Sequence, residues 1–272
     1  MSGLIVDGLS VTTSSGHLLV KNLDFSVAPG ERLGLIGESG SGKSLTALAI
    51  IGLLPEGLRA TGSVSLSGSE VVGVAERRLV GLRGREATVV FQEPLTALDP
   101  LMRLGNQVAE PLSRLAADHG EKPSRTQLRS GILAALDEVA LPDAERILRS
   151  FPHEVSGGQR QRVAIAIALA GEPKLLIADE PTTALDVTVQ SGILDLLDGV
   201  VRKRGMSLLF IGHDLAVVAR VTDRVLVLRD GEAVDRGPLA ELIAEPRHPY
   251  TRDLVHGARA LDEALDHPGR LS

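Results

Sequence analysis

The chain has 272 residues, of which 43% are hydrophobic, and this predicts one large α/β domain with a smaller lobe or two around a substantial core. Its net charge of −6 argues against nucleic acid as the main ligand, because binding to a phosphate backbone needs a clustered basic surface. The absence of cysteine excludes disulfides, thiolate chemistry and cysteine-ligated metal sites, and suits a cytoplasmic protein.

The N-terminus lacks the features of a signal peptide, and the longest apolar run, residues 163–170, is far shorter than the ~20 residues of a membrane-spanning helix. Any membrane role is therefore expected to depend on a partner. Strand-like pieces at 4–6, 18–20 and 25–27 are separated by Ser-Ser-Gly and Ala-Pro-Gly. They predict an antiparallel sheet. The apolar run at 32–36 that follows predicts a buried strand.

A glycine-rich segment, Gly-Glu-Ser-Gly-Ser-Gly-Lys-Ser at 37–44, lies between that strand and an apolar helix. This is the context that a G-x-x-x-x-G-K-S phosphate-binding loop requires. Its backbone N–H groups can point at phosphate oxygens, with Lys43 reaching the β- and γ-phosphates and Ser44 ligating Mg²⁺. An ordinary Gly/Ser loop is the alternative, but the flanking strand and helix favour a nucleoside triphosphate site. The predicted nucleotide contacts are Gly37, Glu38, Ser39, Gly40, Ser41, Gly42, Lys43, Ser44 and Thr46.

The middle of the chain changes from strands to helices. Residues 62–68 and 87–91 predict two more strands, whereas apolar residues from 94 to 151 recur at helical spacing. Strands at 175–178, 207–211 and 224–228 then alternate with a helix near 187–204, which predicts a parallel sheet. The predicted divisions are an α/β core with a β subdomain at about 1–92 and 166–245, an inserted all-helical subdomain at 93–165 and a short C-terminal extension at 246–272.

Two carboxylates, Asp179 and Glu180, follow the strand at 175–178 directly. Both are expected at the carboxyl edge of the sheet, where ligands of α/β proteins bind. Asp179 would hold Mg²⁺ through its water shell, and Glu180 could polarise an attacking water. Asp-Glu-Pro-Thr is also a favourable sequence for the N-terminus of a helix. The two carboxylates taken alone therefore fit either a Mg²⁺ and hydrolysis site or an acidic helix start.

A second glycine motif, Ser156-Gly157-Gly158-Gln159, precedes another apolar helix and forms a possible anion cradle without a lysine. Alone it could be a plain loop. Together with the first cradle it suggests that two copies of the site face each other. Gln92 and His213 each follow a strand of the predicted sheet, and this position favours a role in the site although a lone glutamine or histidine is more often a surface residue.

The order of these motifs, together with Ala184-Leu185-Asp186, resembles that of the ATP-binding cassette (ABC) ATPases over nearly the whole chain. The resemblance implies a single P-loop NTPase domain with a RecA-like parallel sheet and a dimer that sandwiches two ATP molecules. It also implies roles for single residues. Lys43, Glu180, His213 and Gln92 would act in catalysis, with Glu180 as the general base, and the residues at Mg²⁺ would be Ser44, Gln92 and Asp179. The residues that contact the ATP of the partner subunit would be Ser156, Gly157, Gly158 and Gln159, and Asp186 would serve communication between the subunits.

Three segments, 92–100, 151–162 and 246–252, look like those of the dipeptide, oligopeptide and nickel importer ATPases. That resemblance implies a second ABC ATPase subunit, two permease subunits, a solute-binding protein and a peripheral position on the cytoplasmic face of the inner membrane. For the stretch at 248–250, a turn into a C-terminal helix is favoured over a metal site. A soluble ABC ATPase that serves an enzyme or assembly complex is the alternative, while a small-molecule kinase would not need the Ser-Gly-Gly-Gln segment.

An apolar groove near Gln92, to which Leu95, Leu98, Leu101, Met102 and Leu104 would contribute, is expected of a transporter subunit and not of a soluble ATPase. The family usually carries an aromatic residue that stacks on adenine in its first strands. The matching stretch at 9–13 has none. We therefore expect weak ATP affinity and little preference for ATP over GTP.

Overall fold

The computed structural model describes residues 3–183 and 186–266. It contains two sheets, of which the first is antiparallel with the strand order β2-β1-β4-β5. Its strands are β1 (Leu4–Thr13), β2 (Leu18–Val27), β4 (Leu58–Leu66) and β5 (Ser69–Glu70). The predicted antiparallel β region is therefore present.

The strands β1 and β2 are longer than the short pieces that the sequence pattern predicts. In β1 the buried residues Val6 and Leu9 are an odd number of positions apart, which breaks a simple alternation. The ladder shifts register between them, where Gly8 adopts a φ of 59°. This bulge returns the apolar side chains to the core face, so that the strand continues through a position where the alternation in the sequence fails.

The second sheet has six strands in the order β10-β9-β3-β8-β7-β6. Five are parallel: β3 (Arg32–Ile36), β6 (Ala87–Val90), β7 (Leu175–Asp179), β8 (Ser207–Gly212) and β9 (Arg224–Arg229). The antiparallel edge strand β10 (Glu232–Pro238) is not predicted by the sequence pattern, because it is half exposed and carries few apolar residues. The parallel sheet itself is confirmed.

Between β6 and β7 the chain is helical, as expected. This part contains α3 (Pro94–Ala97), α4 (Leu104–Asp118), α5 (Arg125–Glu138), α6 (Ala144–Ile147), a 3₁₀ turn (Pro152–Glu154) and α7 (Gly157–Leu169). The remaining helices are α1 (Lys43–Ile50), α2 (Glu76–Leu79), α8 (Val187–Arg204), α9 (Leu215–Ala219), α10 (Leu239–Ala244) and α11 (Pro249–Asp266). None of the helices within the described residues is long and apolar enough to cross a membrane.

The parallel sheet separates two hydrophobic cores. Successive residues of each strand point to opposite faces, so Leu176 packs with the helices α4 to α9 while Ile177 packs with α1 and the antiparallel sheet. The central strands β3, β7 and β8 are buried throughout. Their carboxyl ends are level with one another, since Ile36 pairs with Gly212 and Asp179 with Ile211. The loops that follow these strands therefore meet at one edge.

Candidate nucleotide-binding and hydrolysis site

The glycine-rich loop connects β3 to α1 at this edge, as predicted. Gly42 has a φ of 97°, which an L side chain rarely adopts, and α1 begins at the next residue. At Gly37, a Cβ atom would lie 2.3 Å from the carbonyl oxygen of Leu228. The loop is therefore packed against the end of β9 at its beginning and turns sharply into the helix at its end.

Lys43 is buried inside this loop, with 5% of its surface exposed. Its Nζ donates hydrogen bonds to the carbonyl oxygens of Gly37, at 2.8 Å, and Glu38, at 2.7 Å. Burial lowers the pKa of Lys43, and the negative charges of Glu180, Asp179 and Glu38 oppose that shift. The ammonium group thus occupies the centre of the loop, where phosphate oxygens are the anionic partners that fit it.

A further polar atom in the loop fits a phosphate ligand. The hydroxyl of Ser41 is buried and has no hydrogen-bond partner among the described residues. Such an orphaned hydroxyl is unfavourable unless a ligand or water satisfies it. The hydroxyl of Thr46, in contrast, is fully buried and donates to the carbonyl oxygen of Gly42 at 2.9 Å, so in this state it is used within the loop.

Ser44 and Asp179 meet between α1 and β7. The hydroxyl of Ser44 donates to Oδ1 of Asp179 at 3.1 Å. Burial raises the pKa of Asp179, the hydrogen bond from Ser44 opposes this, and the charge of Glu180 adds to it. One hydroxyl and one carboxylate fit Mg²⁺ that takes its other ligands from phosphate and water. Within the described ranges, no cluster of three or more histidine or acidic side chains offers a metal site of protein ligands alone.

Glu180 follows β7 in a left-handed backbone conformation, with a φ of 46°. A non-glycine residue there is strained, and such strain tends to occur at functional sites. The Oε2 atom of Glu180 accepts a hydrogen bond from Thr183 Oγ1 at 2.9 Å and lies 3.2 Å from His213 Nδ1. Its Oε1 is 3.9 Å from Lys43 Nζ. The structure therefore brings together Lys43, Glu180 and His213 from three loops, as the sequence predicts.

Gln92 lies two residues beyond β6 and is exposed, and its side chain makes no hydrogen bond within the described part of the chain.

Asp186 caps α8 by accepting a hydrogen bond from Val189 N at 2.9 Å. This capping role accounts for an aspartate at that position without a partner subunit. Ala184 and Leu185, which belong to the same predicted motif, lie outside the described residues.

The Ser-Gly-Gly-Gln motif forms the start of α7. Ser156 Oγ accepts a hydrogen bond from Gln159 N, and Gln159 Oε1 accepts one from Ser156 N. A Cβ atom on Gly158 would lie 2.7 Å from Val189 Cγ1, so α8 packs closely here. No polar contact of the described residues joins this motif to the glycine-rich loop. One chain therefore does not bring its two cradles together.

A groove of about 670 Å³ lies beside β6, between α4, α7 and the segment 94–102. Its lining is largely apolar and includes Phe91, Leu98 and Met102. On the same segment Leu101 is 87% exposed and Leu95 52%. Of the five residues expected to contribute to the groove, Leu98 and Met102 line it, whereas Leu95 and Leu101 do not. The expectation was also wrong for Leu104, which is fully buried in the core because it begins α4 and faces inward.

Sequence reasoning missed two residues near the site. Thr183 holds Glu180, and Tyr250 lies against the backbone of Glu38. The position of Tyr250 as the single tyrosine, in a segment already noted for its resemblance to importer ATPases, was a possible signal. The predicted turn into a C-terminal helix is confirmed, since α11 begins at Pro249.

These features define a class of protein. Three features characterise an ABC ATPase: a phosphate-binding loop at the carboxyl edge of a parallel sheet, two acidic residues at the end of another strand of that sheet, and an inserted helical region whose last helix begins with Ser-Gly-Gly-Gln. Residues 20–183 match the family described as ABC transporter. The chain belongs to this family and carries its ATP-hydrolysing domain.

Relatives of known name support the assignment. The chain is 45% identical over 267 residues to a putative peptide import ATP-binding protein of Brucella abortus (strain 2308), covering 97% of this chain and 79% of that protein. It is 44% identical over 248 residues to the oligopeptide transport ATP-binding protein OppD of Lactococcus lactis subsp. cremoris (strain SK11), covering 91% and 72%.

Solved structures agree in fold. A dimeric post-hydrolysis state of the ATP-binding cassette MJ0796, bound to ADP and Pi, superimposes with a TM-score of 0.76 at 29% identity, over 87% of this chain and 98% of that one. The cbiO1 protein of Clostridium perfringens, part of the ABC transporter complex cbiONQ, gives a TM-score of 0.73 at 26% identity, over 97% and 98%.

Proposed function

We propose that this chain is the ATP-hydrolysing subunit of a peptide importer and that it acts as one of two ABC ATPase subunits beneath two permeases. The observation that carries the catalytic part is the meeting of Lys43, Glu180 and His213 at one edge of the parallel sheet. The peptide assignment is supported by relatives named for peptide import and oligopeptide transport. Nickel, the other solute that the resembling segments allow, is not named in these relatives.

In the proposed site the loop from Gly37 to Ser44 holds the phosphates. Lys43 Nζ donates to two loop carbonyls and has a third N–H that would bind a phosphate oxygen. Ser44, Asp179 and Gln92 would hold Mg²⁺, which neutralises charge on the phosphates. Because Thr183 fixes one oxygen of Glu180, the carboxylate has a set orientation for accepting a proton from water. His213, beside the same oxygen, would contact the terminal phosphate.

The second half of each site is proposed to come from a second subunit. The start of α7 offers free backbone N–H groups and the positive end of a helix dipole, both of which attract phosphate. The motif residues that would thus contact ATP held by the partner's loop are Ser156, Gly157, Gly158 and Gln159. Asp186 would communicate across the dimer whether ATP is bound. Closure on ATP and opening after hydrolysis would then move the permeases.

The groove beside β6 is the proposed docking site for a cytoplasmic helix of a permease. Phe91 and Met102 line the groove, and Leu95 and Leu101 expose apolar side chains on the segment 94–102 that borders it. Such a surface suits the apolar face of a helix, and a soluble ATPase would avoid it. The importer assignment places the chain peripherally on the cytoplasmic face of the membrane.

The first test is to purify the tagged protein from gently solubilised native membranes and to identify its partners by mass spectrometry. We expect two permeases and a second ABC ATPase with the wild type. Leu101→Glu should lose the permeases, while the matched variant Ile5→Glu, on the outer antiparallel sheet, should keep them, since Ile5 is 47% exposed away from the groove. Recovery of a soluble enzyme complex without permeases would contradict the importer assignment.

A further inference from the structure

Arginine side chains are concentrated on one surface of the helical region, although the whole chain carries a net charge of −6. A groove of about 600 Å³ lies there between α5 and α6. The residues that line it are Arg129, Glu145, Arg146, Arg149 and Ser150. Since three of them carry a guanidinium group and one carries a carboxylate, the groove is positively charged.

The single carboxylate holds the arginines in place but does not neutralise all of them. Glu145 Oε2 pairs with Arg129 and lies 3.8 Å from Arg149 Nη2, so that one acidic group is shared by two basic ones. Arg146 is exposed and forms no ion pair with any described residue. The side chains of Arg129 and Arg149 are 47% and 66% exposed, so a ligand in the groove can reach them.

This groove lies next to the one proposed for the permease helix. The segment 94–102 continues directly into Arg103, whose guanidinium lies 5.7 Å from the centre of the Phe151 ring. The next residue, Leu104, donates its backbone N–H to the carbonyl oxygen of Ser150 at 2.9 Å. Arg103 therefore joins the three arginines of the groove in one arginine surface, Arg103, Arg129, Arg146 and Arg149, at the border of the permease groove.

We propose that the arginine surface contacts the phosphate groups of anionic phospholipids in the cytoplasmic leaflet while the neighbouring groove holds the permease helix. The proposal rests on the proposed function, because the permease helix is what turns this side of the chain towards the membrane. Charge complementarity favours lipid as the occupant. The chain is acidic as a whole and an anionic leaflet would repel it, so the side that meets the membrane needs the cations. Guanidinium groups also bind phosphate oxygens in a bidentate manner.

Co-sedimentation of the purified chain with vesicles tests the contact without any permease. We expect binding to vesicles of phosphatidylcholine with about one third phosphatidylglycerol, and no binding to phosphatidylcholine alone. Raising NaCl from about 0.1 M to about 0.5 M should release the protein, because salt screens exposed charges. The double variant Arg146→Gln/Arg149→Gln should bind at least about ten-fold more weakly, since each arginine near an anionic surface contributes about five-fold.

The matched control is Arg59→Gln/Lys203→Gln, which removes the same charge from β4 and from the end of α8. Both side chains are exposed and form no ion pair with the described residues. This variant should bind the vesicles as the wild type does. Both double variants should keep the melting temperature of the wild type, because Arg146→Gln/Arg149→Gln leaves the pair of Arg129 and Glu145 intact.

Undiminished vesicle binding by Arg146→Gln/Arg149→Gln, or equal binding of the wild type to both kinds of vesicle, would overturn the lipid contact. Displacement by inorganic phosphate beyond that by NaCl of equal ionic strength would assign the arginines to a soluble phosphate compound instead. Loss of the permeases from the double variant on purification, with vesicle binding unchanged, would assign them to a permease contact. Each of these results leaves the proposed function intact, since that fails only if the wild type recovers no permeases.

Discussion

Glu180→Gln is the substitution that tests the hydrolytic role most directly. The amide keeps the size of the side chain and one acceptor oxygen, so the hydrogen bond from Thr183 can persist. It cannot accept a proton, however, and removal of a general base usually slows a reaction about 10²–10⁴-fold, or about 3–5 kcal/mol in activation free energy. We expect kcat for ATP hydrolysis to fall within that range.

Nucleotide binding should survive the same substitution. Glu180 Oε1 is 3.9 Å from Lys43 Nζ, and at an effective dielectric constant of about 20 this attraction amounts to about 4 kcal/mol before desolvation. The glutamine releases Lys43 from that attraction and removes a negative charge that faces the phosphates. We therefore expect ATP to bind as tightly as in the wild type or more tightly, and the closed dimer to accumulate.

Phosphate release measures turnover, binding of a fluorescent nucleotide measures affinity, and size-exclusion chromatography with ATP detects the dimer. Glu121→Gln, an exposed glutamate between α4 and α5, is the control for loss of a surface charge and should behave as the wild type. Turnover by Glu180→Gln close to that of the wild type would remove Glu180 from the role of general base.

Three further substitutions address binding and stability. Lys43→Ala should weaken nucleotide binding more than about ten-fold, since it removes a charged donor to phosphate, and a binding titration measures this. Arg32→Met should lower the free energy of unfolding by about 2 kcal/mol in urea, because it removes charged hydrogen bonds from the buried guanidinium to Asp198 and Asp223. The loss stays moderate because Asp198 keeps its pair with Arg202 and Asp223 is largely exposed. Thr13→Tyr should tighten ATP binding at least about five-fold and create a preference for ATP over GTP, since it supplies the missing stacking surface, and a competition titration against GTP tests this.

Arg32→Met has a matched control variant, and each of the other two substitutions has an outcome that would contradict it. Arg114→Met removes an exposed ion pair with Glu110 and should change the unfolding free energy by less than about 0.5 kcal/mol. If Arg32→Met were no more destabilising, the buried network would not contribute as argued. A wild-type protein that already prefers ATP strongly over GTP would contradict the reasoning behind Thr13→Tyr, and undiminished binding by Lys43→Ala would contradict the assignment of the loop.

Much of the site could be predicted because its parts are contiguous in the sequence. The phosphate-binding loop needs a strand before it and a helix after it, and both are visible in the apolar pattern on either side of residues 37–44. The same holds for α8, predicted near 187–204 and found as Val187–Arg204. Asp179 and Glu180 end a short, fully apolar strand, and that position alone brings them to the edge where ligands bind.

Other features depend on contacts between distant segments. The bulge in β1 becomes visible only when the neighbouring strands fix which face is buried, and the polar strand β10 forms because β9 offers it a free edge. Leu104 looks like a groove residue in the sequence, but the packing of α4 turns it into the core.

The sequence by itself therefore predicted the parts of the proposed site: a loop for phosphate, a hydroxyl and a carboxylate that fit Mg²⁺, a candidate general base, and a second anion cradle. Only the tertiary structure decided which residues support them. Thr183 reaches Glu180 because the backbone turns sharply at Glu180 itself, and Tyr250 reaches Glu38 because α11 returns to the start of the chain's first α/β unit. The contact of Thr183 is local but depends on the left-handed conformation of Glu180, whereas that of Tyr250 arises from packing between segments far apart in sequence, which no local pattern encodes.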